Sequence, residues 1–270
     1  MSANIHPTAI VAEGAQIAPS ATVGPWCTIG PNVIVGEDCR LLSHVVLAGD
    51  DVGHLTLGRG TVVHPFACLG VSPQDLKYAG EPTRCTIGEN NTIREYVTIS
   101  RGTAGGGGET TVGSGCLIMA YTHIGHDSHI GNGCILANSA TLAGHVIVED
   151  YAVVGALCPV HQFCRIGRYS YIGGGTTITQ DVLPYSLTSI ERNNHAYGLN
   201  KVGLERRGFT AAELKALRQA YRLLQASKLN TTDAVAAIRA TLAEAADPGS
   251  VEHVQYLADF IANSQRGIIK

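Results

Sequence analysis

The sequence has few aromatic and few charged residues for a chain of 270 residues. Aromatic side chains make up 6% of it and charged side chains 15%, whereas a soluble domain usually has about 25% charged residues. Hydrophobic residues make up 45%, which excludes a disordered chain, because such chains are poor in apolar residues. The net charge of −3 lacks the positive excess typical of nucleic-acid-binding proteins, so we expect no nucleic-acid partner.

Long apolar runs, a signal peptide and paired metal-binding cysteines are also missing. No run of about 18 apolar residues is present, so no membrane-spanning helix is predicted. Residues 1–7 lack the basic and apolar regions of a signal peptide. The eight cysteines include no C-x-x-C pair, and we interpret them as buried free thiols, which suit a reducing compartment. We therefore expect a cytoplasmic protein with no metal and no bound cofactor.

Glycine is abundant, at 32 residues, and aliphatic residues recur at every sixth position. The longest uninterrupted series is Val112, Ile118, Ile124, Ile130, Leu136, Leu142, Val148, Val154, Val160, Ile166, Ile172 and Ile178. A period of six does not keep one face of an α-helix, whereas a short strand followed by a bend fits it. Three such units per coil predict a parallel β-helix in which residues 18 apart stack at about 4.8 Å.

The six-residue pattern ends near Ile178 and gives way to helical spacing from about residue 198. Residues 181–197 are predicted to form a connecting segment. A capping box at Thr210 and Glu213 predicts one helix start, Thr232 predicts a second, and Pro248 is expected to break the chain after that second helix. We predict a β-helix domain over 1–190, with loops at 71–84 and 101–110, and a helical domain over 191–270. The glycine-rich 101–110 loop lacks phosphate-binding spacing and is predicted to be a flexible excursion.

Five histidines fall in the long uninterrupted repeat, at positions 123, 126, 129, 145 and 161. Their phase in an 18-residue coil predicts a first strip made of His126, Gly144 and Gln162, with His145 and His161 one residue away. A second strip at another corner of the coil is made of Asn138, Ala156 and Gly174. In a trimer, the first strip of one subunit could face the second strip of its neighbour and form a cleft.

Several stretches of this sequence resemble one family of hexapeptide-repeat enzymes. They are QDLKYAGEPT at 74–83, IGHD at 124–127, CILANSATLAGH at 134–145, VHQFC at 160–164 and ERRGF at 205–209. These stretches are similar to the UDP-N-acetylglucosamine O-acyltransferases, which begin lipid A synthesis. The resemblance implies a left-handed β-helix and a homotrimer with active sites between subunits. It also implies transfer of a 3-hydroxyacyl chain from acyl carrier protein to the 3-position of UDP-N-acetylglucosamine.

The His126–Asp127 pair suits this chemistry. A sugar hydroxyl needs a general base to remove its proton as it attacks a thioester, and histidine titrates in a suitable range. An acidic neighbour can fix the tautomer of the histidine and stabilise the imidazolium. Neighbouring strand residues point to opposite sides, so the pair needs a bend, which Gly125 is expected to permit. The backbone N–H of Gly144, one coil above, can stabilise the oxyanion.

The resemblance assigns the same three roles and adds substrate contacts. It makes His126 the base, Asp127 its partner and Gly144 the oxyanion donor. It places further residues around the substrates: Asp75, Lys77, His123, Asn138, His145, His161, Gln162, Arg206 and Arg207. It implies that Gly174 leaves room for the distal part of a long acyl chain. The only co-substrate group it implies is the phosphopantetheine thioester of acyl carrier protein.

Alternative interpretations remain open from the sequence. His123-x-x-His126-x-x-His129 could ligate zinc, as in carbonic anhydrases of the same fold. The related N-acyltransferase of the lipid A pathway is another candidate, although that family usually carries an N-terminal uridine-binding domain and here the repeat starts at Ile5. A third candidate is a non-enzymatic β-helix that acts as a scaffold or surface binder.

Three positions depart from the family pattern. Separately, one basic patch has two interpretations. Ser100 and Val202 replace a common histidine and a common acidic residue, and Ala156 replaces a common glycine. These changes leave open whether the acceptor is UDP-N-acetylglucosamine or its 3-amino analogue, and the acyl length is also open. A basic patch near the helical domain could dock the acidic carrier protein or be an ordinary solvated face. It consists of Arg206, Arg207, Lys215, Arg218, Arg222 and Lys228.

Overall fold

The chain forms a left-handed parallel β-helix with a small α-helical region after residue 200, as predicted. The computed structural model describes residues 3–48, 52–191, 193–225, 229–244 and 247–269. Each short strand pairs in parallel with the strand one coil later, so the coils stack into three sheets. These sheets are the faces of a triangular prism, named here face one, face two and face three in the order in which the chain meets them.

The three faces are built from strands of two to seven residues. Face one contains Asn4–Ile5, Thr22–Val23, Arg40–Leu41, Val62–Val63, Thr92–Ile93, Leu117–Ile118, Ile135–Leu136, Val153–Val154, Tyr171–Ile172, Ser186–Glu191 and Asn193–Leu199. Face two contains Ile10–Val11, Thr28–Ile29, Val46–Leu47, Cys68–Val71, Thr98–Ser100, His123–Ile124, Thr141–Leu142 and Pro159–Val160. Face three contains Gln16–Ile17, Val33–Val35, His54–Leu57, Arg84–Ile87, Glu109–Val112, His129–Ile130, Ile147–Val148 and Arg165–Ile166.

The aliphatic residues of the six-residue series fill the interior of the prism. From Val112 to Ile178 every member of that series is buried. All the cysteines are free thiols, and all but Cys68 are buried, which confirms their interpretation as small apolar residues. Burial raises the pKa of several of these thiols, and that of Cys85 reaches about 12, so they are poor nucleophiles.

The insertions that interrupt the repeat leave the prism at the same edge. They lie between Leu47 and His54, at 72–83 and at 101–108, and each connects a strand of face two to a strand of face three. We call this edge the two–three edge, and the insertion at 101–108 the glycine loop. The insertion at 72–83 is called the substrate loop, after the substrate contacts that were predicted for Asp75 and Lys77. The glycine loop contains a 3₁₀ turn at Ala104–Gly106, and Thr103 is only 6% exposed. The prediction of a flexible excursion was therefore wrong for this part of the loop.

The last coil is followed by an antiparallel hairpin where a connecting segment was predicted. Strand Ser186–Glu191 adds in parallel to Tyr171–Ile172 and pairs in antiparallel fashion with Asn193–Leu199, so the hairpin extends face one. In the described part of the chain that follows, there are four helices: α1 Lys201–Arg206, α2 Ala211–Gln225, α3 Thr231–Ala240 and α4 Pro248–Ala262, with a 3₁₀ turn at Thr241–Glu244. Within the described ranges, none of the helices is both long and apolar enough to cross a bilayer.

The helix starts correct two details of the sequence interpretation. The capping box is confirmed, since Thr210 and Glu213 exchange side-chain and backbone hydrogen bonds. Helix α3 is capped by Asn230, which accepts from the Asp233 N–H, rather than by Thr232. Pro248 is the first residue of α4, where a missing N–H costs nothing, so it starts a helix as well as ending the preceding segment.

The C-terminal residues return to the β-helix. The Ile269 N–H donates to the Asp181 carbonyl, and the Ile269 side chain is buried with the interior of the prism. The predicted division of the chain at 190/191 falls in the hairpin, and it stays a prediction.

Candidate active site

His126 and Asp127 lie at the two–three edge, one coil above the glycine loop. The Nδ1 atom of His126 is 2.7 Å from Oδ2 of Asp127. The bend that brings the two side chains together is at Asp127 itself, which has a φ of 57°. Gly125 has another role than the one expected, because a Cβ there would lie 2.6 Å from the Ala143 carbonyl carbon of the next coil.

The Asp127 carboxylate is buried and fully engaged. Its Oδ1 accepts from the backbone N–H of Thr103 at 2.7 Å, and its Oδ2 accepts from the Thr103 hydroxyl at 2.7 Å. The Asp127 backbone N–H donates to the Thr110 hydroxyl at 2.8 Å. A buried carboxylate needs such donors to offset the loss of water, and together they fix its orientation toward His126.

Gly144 lies directly against the imidazole of His126. A Cβ at Gly144 would be 2.6 Å from Cε1 and 2.7 Å from Nε2 of that ring. Any side chain at position 144 would therefore clash with the Cε1–Nε2 side of the ring, and only glycine leaves that side open. The His145 N–H donates to the His126 carbonyl at 2.9 Å and holds the two coils in register at this point.

Two further histidines flank the dyad and are held in the neutral form. Nε2 of His145 is 3.8 Å from Oδ2 of Asp127, and its ring stacks on Phe163 at 4.5 Å. His123 shares a hydrogen bond with the Thr98 hydroxyl at 2.7 Å. Burial above all lowers the pKa of both His123 and His145, and a charge on His126 would act in the same direction, while the Asp127 carboxylate partly opposes the shift of His145. At neutral pH both rings are therefore hydrogen-bonding groups rather than cations.

The remaining residues of the first strip and two further predicted substrate contacts lie along the same edge. Asp75 and Lys77 are in the substrate loop, two coils below the dyad, where the Lys77 N–H donates to Asp75 Oδ1 at 3.1 Å. His161 and Gln162 are exposed one coil above Gly144. An Arg266 guanidinium nitrogen lies 3.2 Å from His161 Nδ1. Sequence reasoning missed Arg266, because it reaches this edge only through the return of the C-terminus, which no period of the sequence signals.

The second strip lies at a different edge, where the chain passes from face one to face two. Asn138, Ala156 and Gly174 follow one another there, one coil apart. Gly174 is exposed, and a Cβ on it would meet only the Ala156 backbone, at 3.3 Å from the carbonyl oxygen. Within one chain this strip does not meet the dyad.

A cavity of about 720 Å³ lies between face one and the segment around α1. Its lining residues are Ile135, Tyr151, Val153, Tyr169, Tyr171, Leu187, Leu199, Asn200, Lys201, Val202, Gly203, Arg206 and Arg207. The Arg207 guanidinium carbon lies 4.2 Å from the centre of the Tyr151 ring. Face one is the face that does not touch the two–three edge, so one chain cannot bring this cavity and His126 into one site.

The structure brings together a different set of potential metal ligands from the one that the histidine spacing indicated. His126, Asp127 and His145 each offer one ligand atom within 4.8 Å of the others. His129 lies apart on face three, and its Nδ1 contacts the Thr111 hydroxyl. The Asp127 oxygens already accept from Thr103, and Oδ2 faces His126 Nδ1. Ligation would break that last contact, so the arrangement favours a hydrogen-bonded dyad.

Comparisons with known proteins agree with this architecture. Residues 181–269 match a family model described as UDP N-acetylglucosamine O-acyltransferase, domain 2, and residues 14–49 and 109–144 match bacterial transferase hexapeptide repeats. The UDP-N-acetylglucosamine acyltransferase of Francisella novicida is 38% identical over 98% of this chain and 93% of its own, with a TM-score of 0.92.

Two further solved structures extend the comparison. LpxA of Acinetobacter baumannii is 40% identical over 98% of this chain and 99% of its own, with a TM-score of 0.90. The Arabidopsis UDP-N-acetylglucosamine acyltransferase is 34% identical over 100% of this chain and 99% of its own, with a TM-score of 0.79. With this identity over nearly the full length, the chain is an acyltransferase and belongs to the UDP-N-acetylglucosamine O-acyltransferase family.

Proposed function

We propose that this enzyme transfers a 3-hydroxyacyl chain from acyl carrier protein to the 3-hydroxyl of UDP-N-acetylglucosamine, the first step of lipid A synthesis. The observation that carries the proposal is the 2.7 Å contact between His126 Nδ1 and Asp127, with Gly144 against the other side of the ring. The solved relatives named above act on the same acceptor according to their names.

In the proposed transfer, every proton and electron pair is accounted for by a named group. Asp127 holds the proton of His126 on Nδ1, so Nε2 is free of a proton and can take one from the sugar hydroxyl. The hydroxyl oxygen attacks the thioester carbonyl, and the oxyanion that forms accepts a hydrogen bond from the Gly144 N–H. Collapse of the tetrahedral intermediate breaks the C–S bond, and the imidazolium returns its proton to the leaving thiolate. No acyl-enzyme is required.

The position of the cavity supports a site built from two subunits of a trimer. Arg206 and Arg207 carry the positive charge that a nucleotide diphosphate needs, but they lie across the prism from His126. Threefold symmetry can place face one of one subunit beside the two–three edge of the next. Val202 is exposed at this cavity and Ser100 is buried below the dyad, which supports assigning both departures from the family pattern to the proposed acceptor side.

The docking site for the carrier protein is proposed on helix α2. Lys215, Arg218 and Arg222 are all exposed and are spaced along one side of this helix. Acyl carrier protein is acidic, so opposite charge would steer it to this surface. The remaining residue of the predicted patch, Lys228, lies outside the described residues.

The direct test is a transferase assay with purified enzyme. It is supplied with 3-hydroxyacyl carrier proteins of several chain lengths and with either UDP-N-acetylglucosamine or its 3-amino analogue. We expect ester formation on the first acceptor. Transfer only to the amine would show that the acceptor is the 3-amino analogue. No transfer to either acceptor would refute the proposal.

Mixed trimers test whether the site spans two subunits. His126→Ala and the double variant Arg206→Ala, Arg207→Ala are expected to be nearly inactive as homotrimers. After co-refolding in equal amounts, roughly a quarter of the sites would combine an intact dyad with intact arginines of the neighbour. Activity should therefore reappear. If the mixture stays as inactive as its components while light scattering shows mixed trimers, each site belongs to one subunit.

Gly174→Met is expected to shift the acyl preference toward shorter chains. Gly174 is exposed and has no positive φ, so the fold can accept a side chain there, and that side chain would occupy the proposed acyl groove. The relative kcat/KM for the longest accepted chain should fall roughly tenfold against a chain a few carbons shorter. An unchanged chain-length profile, measured with carriers of each length, would place the groove elsewhere.

A further inference from the structure

We propose that Thr103 of the glycine loop is a positioning residue that sets the proton affinity of the catalytic dyad. The proposal rests on the proposed role of His126 as general base. Thr103 does not reach the reacting atoms, and it acts through Asp127. The glycine loop thereby joins the substrate loop to the dyad.

The first support is the contact between Thr103 and both carboxylate oxygens. The Thr103 N–H donates a hydrogen bond to Asp127 Oδ1. The Thr103 hydroxyl donates to Asp127 Oδ2, the same oxygen that faces His126 Nδ1. Gly106, in the same loop, closes the other side, because any Cβ at Gly106 would collide with the Asp127 carboxylate. The glycine loop therefore packs closely against the Asp127 carboxylate on both sides.

The second support is the connection from the glycine loop to the substrate loop. The Ala104 N–H donates to Glu81 Oε1 at 3.3 Å, and the Ala79 N–H donates to Glu81 Oε2 at 2.9 Å. Arg101, at the base of the glycine loop, is 1% exposed and donates to the Tyr78 hydroxyl at 2.6 Å. The segment that carries Asp75 and Lys77 is thus tied to the residue next to Thr103.

Thr103 and His126 share one oxygen of Asp127, and this sharing affects how strongly His126 holds a proton. Two donors, the Thr103 hydroxyl and His126, compete for the negative charge on Oδ2. Without the hydroxyl, more of that charge acts on His126 and stabilises its imidazolium. The acid limb of the pH–rate profile should then move to higher pH.

Other titratable groups around the dyad stay in place in this comparison. His145 faces Asp127 at 3.8 Å, and His123 interacts with His126 through its charge. Asp75 and His129 act on His145, Glu81 accepts from the Ala104 N–H of the glycine loop, and Arg101 lies at the base of that loop. A single hydroxyl deletion changes none of these residues.

The test compares Thr103→Val with Thr103→Ser in the full enzyme. In Thr103→Val we expect kcat to fall roughly tenfold, the scale of one hydrogen bond to a charged group. We expect the midpoint of the acid limb to rise by about half a pH unit or more. Thr103→Ser keeps the donor and should restore both values. The matched control is Thr61→Val, which removes the hydroxyl of another buried threonine that donates to the Gly88 carbonyl.

A second readout separates positioning from a general loss of structure. Histidine ring ¹³C NMR follows the titration of His126 directly, with its signal identified from its disappearance in His126→Ala. A parallel upward shift in Thr103→Val, at unchanged trimer mass, would support the proposal. A fall in kcat without any shift of the limb or of the NMR midpoint would overturn it. If instead His126→Ala retains the acid limb, the proposed general base fails, whatever Thr103→Val shows.

Discussion

His126→Ala is expected to lose about 10²–10⁴-fold in kcat, the usual contribution of general-base catalysis. The variant removes the only ring that Asp127 Oδ2 contacts at hydrogen-bonding distance within the described residues. The rise of the rate with pH through one ionisation should disappear with it. The ring is at the edge of the prism and not in its interior, so the variant should keep its assembly and its melting temperature.

Three further variants separate the role of His126 from the roles of the residues around it. Asp127→Asn should fall between wild type and His126→Ala, because the ring stays in place but loses its ionised partner. His145→Ala and His161→Ala should affect KM more than kcat if they only bind substrate. A correctly assembled His126→Ala enzyme with more than about a tenth of wild-type kcat, well above the base-catalysis range, would remove His126 as the base.

Gly144→Ala is expected to lose roughly 10²-fold or more in kcat, because a methyl group there must displace the His126 ring. The new carbon would lie within 2.7 Å of both Cε1 and Nε2, and the ring is held on its other side by Asp127. The backbone N–H is kept, so the loss would report misplacement of the proposed base rather than loss of the proposed oxyanion donor. Steady-state kinetics with saturating acceptor measure it.

Gly105→Ala is the matched control for this substitution. A Cβ at Gly105 meets nothing within 4 Å, so the same chemical change should leave kcat close to wild type. If Gly144→Ala is equally active, the packing of Gly144 on His126 has no part in the rate.

The period of the sequence predicted the fold and much of the site because the β-helix converts spacing into position. Residues 18 apart stack, so the spacing alone was enough to predict that Gly144 lies on His126. A bend at the dyad was predicted, but it was assigned to Gly125, whereas the positive φ falls on Asp127 and recurs at the same phase of the repeat at His145.

The residues that sequence reasoning missed lie where the period is broken. Thr103 lies inside an irregular insertion, the glycine loop, so its phase relative to Asp127 cannot be counted. Arg266 arrives from the far end of the chain, held by hydrogen bonds between Asp181 and the last residues. Asn230 was passed over for Thr232 because both residue types cap helices and only the backbone decides between them.

The insertions all leave the β-helix at one edge, so their positions along that edge differ by whole coils. Each coil is a step of about 4.8 Å, called a rung here. The strands at the two ends of each insertion pair with strands of neighbouring coils, whatever the length of the insertion. Lengthening the insertion adds little to the entropic cost of closing the loop. The substrate loop starts two rungs below the dyad and the glycine loop one rung below. Moving a loop by one coil would therefore shift its base by one rung and leave the interior unchanged. The depth of the proposed cleft would then be set in whole coils, whereas how far a loop extends over it would be set by the length of the loop alone.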